Sequence, residues 1–86
     1  MSTDLDAEFQ HAAAAITQLP ERPDNDTLLK LYALYKQATV GDAKGPKPGF
    51  FDFVNTAKYE AWLHLRGMRA DDAQRQYVSL VRQLRA

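Results

Sequence analysis

Four stretches of the chain repeat apolar residues every three or four positions, the spacing that gathers them on one side of an α-helix. They run from Leu5 to Leu19, from Leu28 to Ala38, from Val54 to Leu65 and from Ala73 to Leu84. No stretch shows the strict alternation of a half-buried strand. The pattern therefore predicts an all-α protein, a four-helix bundle that buries the four apolar stripes against one another.

Helix-ending and helix-capping residues separate the first two stretches. Ser2 or Thr3 can cap the first helix, and the chain then reaches two prolines that exclude further helix, at 20 and 23. Asp24 or Asn25 follows at once, and either side chain can accept a hydrogen bond from the first turn of the second helix. We expect the second helix to end near Gly41.

A long loop is predicted between the second and third helices. Residues 41–49 contain three glycines and two prolines, a composition that forbids regular structure, and the loop is long for a bundle. It is predicted to be a crossover loop whose end is anchored in the core by Phe50, Phe51 and Phe53. The third helix should start near Asp52 or Asn55 and run to Arg66.

The apolar arc of the second helix is wider than a core-facing helix needs. Lys36 stands one turn after Tyr32 and beside Leu29, at the border of a second apolar strip, while Lys30 and Gln37 are predicted to mark the solvent side. Two interpretations remain open. The helix packs on two sides with a lysine that reaches out to water, or the strip binds a ligand that is apolar at one end and anionic at the other.

Lys58 raises the same question on the third helix. Its position falls inside the apolar stripe, between Val54 and Trp62. A buried ammonium is unfavourable unless it reaches water or an anion, and the amino-terminal half of a helix gives a cation no help. Either the side chain extends to the rim of the bundle, or it meets an anionic ligand.

Composition limits the classes of partner. Eleven basic and eleven acidic side chains among 86 residues give a formal charge of zero, so the chain lacks the cationic footprint that nucleic acid or an anionic membrane would require, and any polyanion site must be local. We expect no nucleic-acid partner and no stable membrane insertion. The amino terminus lacks the pattern of a signal peptide, and no run is long enough to cross a bilayer. The chain has no cysteine, which is compatible with a reducing compartment. We expect a cytoplasmic protein.

The chain has few residues of the types that take part in catalysis, and none of them is suitably placed. His11, His64 and Ser79 project away from the apolar stripes of their helices. No cysteine can serve as a nucleophile, no phosphate-binding glycine loop is present, and no pair of His or Asp has the spacing of a metal site. We therefore predict no enzymatic activity, no catalytic residue, no metal and no cofactor.

Three motifs carry a family resemblance. LYALYKQATVGD at 31–42, PGFFDF at 48–53 and AKYEAWLHLRGM at 57–68 together resemble the acyl-CoA-binding protein family, in order and in spacing. The resemblance implies one domain over residues 1–86, a monomeric four-helix bundle that carries and buffers long-chain acyl-CoA esters without changing them.

The resemblance also assigns residues to the ligand. Tyr32, Lys36 and Lys58 match the contacts to the adenine and the ribose 3′-phosphate, and Tyr77 matches a contact to the head group. Other matching positions line the acyl path or border the site: Ala13, Leu28, Leu29, Ala33, Leu34 and Tyr35. Thr17 stands where the family usually has a lysine, so one positive charge is missing. Tyr59 stands where tryptophan is usual.

Two further hypotheses stay open. The apolar strip could bind an amphipathic helix of a protein partner, a mode that relies on apolar anchors and not on buried lysines. The domain could also hand acyl-CoA to an enzyme that it contacts transiently, which is compatible with the carrier hypothesis.

Overall fold

A computed structural model describes the backbone of residues 2–86 and the side chains from Asp4 onward. Its helices are α1 (Ser2–Ala15), α2 (Asn25–Thr39), α3 (Phe53–Leu63) and α4 (Ala70–Arg85), with a short 3₁₀ turn at Ile16–Gln18 after α1. The described residues form no strand, and the predicted all-α fold is confirmed. The predicted caps of the first helix, Ser2 and Thr3, lie outside the described side chains.

No helix of the described part of the chain is both long enough and apolar enough to cross a membrane.

Local chemistry explains where α2 and α3 begin. The Asp24 carboxylate accepts a hydrogen bond of 2.8 Å from the Thr27 backbone N–H, and the Asp52 carboxylate accepts one of 3.3 Å from the Asn55 N–H. These bonds satisfy donors that have no partner inside a helix. Two alternatives were predicted for the start of each helix. The observed caps are Asp24 for α2 and Asp52 for α3.

Two helices end earlier than the sequence pattern predicts. The α-helix of the first stretch stops at Ala15 and tightens into the 3₁₀ turn, after which Leu19 is extended, with φ −66° and ψ 139°. A residue that precedes a proline avoids the helical region of backbone conformation, so Pro20 already excludes Leu19 from the helix. The third helix ends at Leu63 instead of Arg66, and short turns then lead to Gly67, whose φ is +90°.

Helix α2 is the central element of the bundle. It packs against α4 on one side and α3 on the other, while α1 packs on α4. The buried cluster comes from α1, α2 and α4, with the Phe9 ring stacked on Tyr35 at 5.5 Å between ring centroids and edge-on to Tyr77 at 5.2 Å. Where the first turns of α2 and α3 face each other, the two helices leave a cleft between them.

Gln37 corrects one expectation. It was predicted to face solvent, yet only 1% of its surface is exposed. The crossover loop and the α3–α4 turn cover the carboxyl end of α2, and the Gln37 Nε2 donates to Asp42 Oδ1 and to the Met68 carbonyl, each at 2.9 Å. These bonds make its burial tolerable, because a buried amide without partners is unfavourable.

The phenylalanines at the end of the crossover loop correct a second expectation. Phe50, Phe51 and Phe53 are 86%, 81% and 71% exposed, so the predicted anchoring in the core is wrong. The core is already filled by side chains from the other three helices. A 3.0 Å bond from the Asp52 N–H to the Gly49 carbonyl closes a tight turn that holds the segment at the start of α3, on the surface.

Candidate functional site

A cleft lies on the surface where α2, α3 and the crossover loop meet, and we call it the α2–α3 cleft. It consists of two hollows that share Tyr32. The apolar hollow, about 700 Å³, is lined by Arg22, Asn25, Leu28, Leu29, Tyr32, Phe53, Val54, Ala57 and Lys58. The loop hollow, about 410 Å³, is lined by Tyr32, Pro46, Lys47, Pro48, Asp52, Asn55, Tyr59 and Trp62. An elongated ligand can thus meet a largely apolar wall that also carries Lys58 in one hollow, and aromatic side chains beside Lys47 in the other.

Two lysine ammonium groups lie over aromatic rings at this cleft. Lys36 Nζ is 4.9 Å from the centroid of the Trp62 ring, and Lys58 Nζ is 5.3 Å from the centroid of the Tyr32 ring. Among the described residues, neither ammonium has a carboxylate within 4.0 Å. Both side chains are half-buried. Aromatic faces attract cations only modestly, so both charges remain available to an anion.

The loop holds the Trp62 ring in place beneath Lys36. The indole Nε1 donates to the Gly41 carbonyl at 2.7 Å, and the edge of the ring meets Tyr59, with 6.3 Å between centroids. Tyr59 in turn donates its hydroxyl proton to the Gly45 carbonyl at 3.4 Å. The aromatic floor of the loop hollow is therefore positioned by backbone carbonyls of the crossover loop.

Asp42 ties the loop to the rest of the molecule. Its Oδ1 accepts from the Gly67 N–H at 2.8 Å and from Gln37 Nε2 at 2.9 Å. These two bonds, the one from Gly67 foremost, hold the pKa of the Asp42 carboxyl below its ordinary value. The carboxylate thus joins α2, the crossover loop and the α3–α4 turn beside the cleft.

The structure brings five of the sequence-predicted residues together. Leu28, Leu29, Tyr32 and Lys58 line the apolar hollow. Lys36 lies over Trp62, which lines the loop hollow. The residue types that the resemblance assigns to the two ends of an acyl-CoA molecule therefore occur at one cleft.

The other predicted residues are placed elsewhere. Ala33 and Leu34 are buried in the bundle. Tyr77 is buried against Phe9 and Tyr35, and burial first, then the neighbouring Tyr35, raises the pKa of its hydroxyl. Tyr35 itself is 42% exposed, one residue before Lys36.

The two predicted residues of α1 also lie apart from the cleft. Ala13 is half-buried and packs against the core cluster. The Thr17 hydroxyl donates to the Ala14 carbonyl at 2.8 Å, and Thr17 borders a separate hollow of about 510 Å³ with His11 and Arg85. The ligand roles of Ala13, Thr17, Ala33, Leu34, Tyr35 and Tyr77 stay predictions.

Sequence reasoning missed part of the wall. Phe53, Val54 and Ala57 supply the α3 side of the apolar hollow, and Arg22 and Asn25 border it before and at the start of α2. The signal was available for α3, because positions 53, 54, 57 and 58 recur at helical spacing on the face that carries Lys58. The assignment of Phe53 to the core concealed it.

Comparison with known proteins identifies the family of the chain. A family profile described as "Acyl CoA binding protein" matches residues 6–81. The acyl-CoA-binding protein of Saccharomyces cerevisiae is 50% identical over 76 residues, 88% of this chain and 87% of the yeast protein. Acyl-CoA-binding protein homolog 1 of Caenorhabditis elegans is 53% identical over 76 residues, 88% of each chain. The crystal structure of acyl-CoA-binding protein 2 from Oryza sativa superposes with a TM-score of 0.91 at 37% identity, covering 96% of this chain and 90% of the rice chain. This chain therefore belongs to the acyl-CoA-binding protein family.

Proposed function

We propose that the protein binds long-chain acyl-CoA esters without chemically changing them and acts as their carrier and buffer. In this proposal the acyl chain occupies the apolar hollow of the α2–α3 cleft, and Lys36 and Lys58 bind phosphate groups of the coenzyme. The family supports the ligand class. The assignment of the lysines and of the acyl path is our own inference.

One observation carries the proposal: the two half-buried ammonium groups lie at an apolar cleft and have no carboxylate within 4.0 Å among the described residues. If each lysine only packed its stem on the bundle, a nearby carboxylate could stabilise its ammonium charge as well as an aromatic ring does. Two such lysines beside one cleft, on facing helices, favour an anionic ligand over independent packing.

The two parts of the ligand contribute differently. Burial of a methylene gains about 0.8 kcal/mol, so a dozen methylenes supply on the order of 10 kcal/mol before ordering costs. An ammonium and a phosphate oxygen about 4 Å apart gain roughly 1 kcal/mol in water and about 4 kcal/mol at an effective dielectric constant near 20. The acyl chain should therefore supply most of the affinity, while the lysines orient the head group.

Calorimetric titration tests the proposal. We expect saturable binding of palmitoyl-CoA at micromolar protein and much weaker binding of free coenzyme A and of free palmitate. Lys36→Met and Lys58→Met should each weaken palmitoyl-CoA binding. Lys30→Met is the matched control, because Lys30 is exposed on the same helix and borders a different hollow, next to α4. No saturable heat with palmitoyl-CoA would refute the proposal.

The same lysine variants distinguish two hypotheses for the cleft: binding of acyl-CoA and binding of a protein partner. A lysine-to-methionine change makes the cleft more apolar, so an amphipathic partner helix would be held as well or better. Trp62, the only tryptophan, gives a second measurement. A ligand phosphate that draws Lys36 away from the indole face should change the Trp62 emission on addition of palmitoyl-CoA, and the change should be absent in Lys36→Met.

We further propose a cytoplasmic location and transient contact with enzymes that use acyl-CoA. A carrier that leaves its ligand unchanged has to release it to such enzymes. Stopped-flow transfer of a fluorescent acyl-CoA to an acyltransferase tests the contact. A transfer rate that rises with enzyme concentration indicates direct contact, whereas a rate fixed by spontaneous release contradicts it.

A further inference from the structure

Two phenylalanine rings stand on the surface beside the mouth of the cleft. Phe50 and Phe51 are both more than four fifths exposed and contact each other edge to face, with 5.0 Å between ring centroids. Phe53 and Val54 follow immediately and are also largely exposed. Single exposed apolar residues are ordinary, but four within five positions form a patch of the kind that marks an interaction surface.

The chain next to this patch is positively charged. Residues 43–51 contain Lys44 and Lys47, both exposed, and no acidic residue. The carboxylates on either side are engaged by the protein itself. Asp42 accepts from the Gly67 N–H and from Gln37, and Asp52 accepts from the Asn55 backbone and side chain. The segment therefore presents aromatic rings together with two ammonium groups and the hydrogen-bonded Asp52 carboxylate, which leaves it with one net positive charge.

We propose that this segment, residues 44–54, docks the protein reversibly on a lipid bilayer with anionic headgroups. The rings would enter the interface between headgroups and acyl chains, and the lysines would meet lipid phosphates or carboxylates. Because the rings project from a tight turn, a protein partner would need a matching pocket, whereas a bilayer accommodates projecting rings without one. The net charge of zero limits docking to a weak, local attachment.

The proposal does not depend on the proposed ligand, because docking requires no bound acyl-CoA. Its position nevertheless has a consequence. Phe53 and Val54 belong both to the patch and to the wall of the apolar hollow. The cleft would therefore open at the bilayer surface when the protein is docked.

Co-sedimentation of the acyl-CoA-free protein with vesicles tests the docking. We expect binding to vesicles of equal parts phosphatidylcholine and phosphatidylserine, weaker binding to phosphatidylcholine alone, and weaker binding at high salt, where the lysine contribution is screened. The double variant Phe50→Ser/Phe51→Ser should reduce the partition coefficient about tenfold or more. The control Val40→Ser changes an exposed apolar residue at the end of α2 and should have no effect.

A charge series gives an independent measurement. Lys44→Gln/Lys47→Gln should weaken binding to the anionic vesicles and remove most of its salt dependence. Lys30→Gln/Arg85→Gln removes the same charge from exposed positions outside the segment and should have a smaller effect. A Phe50→Trp variant should show a blue-shifted emission on vesicle addition, with quenching by brominated lipids.

Several outcomes would overturn the proposal. One is failure of the wild-type protein to bind the anionic vesicles, and another is binding by the Phe50→Ser/Phe51→Ser variant equal to that of Val40→Ser. Circular dichroism must show unchanged thermal unfolding of the double variant, since a lowered midpoint would mean that the rings are packed and not free. Concentration-dependent self-association that the double variant abolishes, without vesicle binding, would assign the patch to a second copy of the chain.

Discussion

Acyl-chain length and Lys36 should act on affinity independently of each other. The perturbation is a series of acyl-CoA esters of increasing length, titrated against the wild-type protein and Lys36→Met. Tail and head meet different parts of the cleft in our proposal, because Lys36 lies over Trp62 in the loop hollow, and the loop hollow shares only Tyr32 with the apolar hollow. The free-energy contributions should therefore add.

The magnitudes follow from the structure. Each methylene buried against Leu28, Leu29 and the α3 wall should lower the free energy of binding by about 0.8 kcal/mol, roughly a fourfold change in Kd. A lysine gains about 1 to 4 kcal/mol from a phosphate oxygen. It first loses the attraction of its aromatic ring, about 0.5 to 1 kcal/mol at a partly exposed site. The net effect of one lysine is roughly 0.5 to 3 kcal/mol.

The assay is titration calorimetry, with competition titrations for the tightest esters. Plots of the logarithm of Kd against chain length should be parallel lines for the two proteins, with Lys36→Met displaced to weaker binding by about 2-fold to 150-fold. Leu29→Ala should instead weaken long-chain esters and leave free coenzyme A unchanged. A Lys36→Met line with a different slope, or equal binding of coenzyme A and palmitoyl-CoA, would refute the separation of head and tail.

Three further predictions concern stability, each measured by chemical denaturation. Phe9→Ala removes the ring that stacks on Tyr35 and should cost about 3 to 5 kcal/mol. Gly67→Ala places a Cβ at φ +90° where nothing lies within 4 Å, so conformational strain alone should cost about 1 to 2 kcal/mol. Asp42→Asn should destabilise the protein at neutral pH. The folded-state pKa of Asp42 lies below the ordinary 3.8, so its stabilisation is complete above that pH and is lost as the pH falls through the folded-state value. The difference between wild type and Asp42→Asn should therefore shrink in acid, and a constant difference would contradict this account.

Local signals predicted the helices well. The capping role of Asp24 and the end of α2 near Gly41 depend on residues close in sequence, and the structure shows both. The apolar period also singled out Leu29 and Lys58, and the family resemblance added Leu28; the three line one hollow because α2 and α3 face each other. Such features follow from short-range chemistry and helix geometry.

Other features depend on long-range contacts that a helical projection does not contain. Gln37 looked solvent-facing because nothing in its own helix shows that the loop and the α3–α4 turn fold over it. Phe50 and Phe51 looked like core residues because hydrophobicity alone does not show that the core is already filled. Both errors concern contacts that depend on the path of the crossover loop. The loop has no helical repeat of apolar residues from which its contacts could be predicted.

Gln37 also offers a test of how the loop keeps the cleft in shape. The free energy it contributes is a balance of two donated bonds against one unpaired acceptor, because its buried Oε1 has no partner among the described residues. A bond to a carboxylate gains about 1.5 to 3 kcal/mol and a neutral bond about 0.5 to 1.5, while an unpaired buried group costs about 1 to 3. Gln37→Leu loses the bonds and removes the unpaired oxygen, and the central values of these terms leave an expected net destabilisation of about 1 kcal/mol.

The effect of Gln37→Leu should extend to Trp62. Without the amide, Asp42 keeps only the Gly67 N–H, and the neighbouring Gly41 carbonyl, which accepts from the Trp62 indole, is held less firmly. Acrylamide should then quench the Trp62 emission more strongly in the free protein. Gln10→Leu, an exposed glutamine on α1, is the control and should leave both unfolding and quenching unchanged. A Gln37→Leu protein that is as stable as wild type and equally protected at Trp62 would mean that packing alone fixes the loop, and that the polar contacts of Gln37 contribute nothing to the cleft.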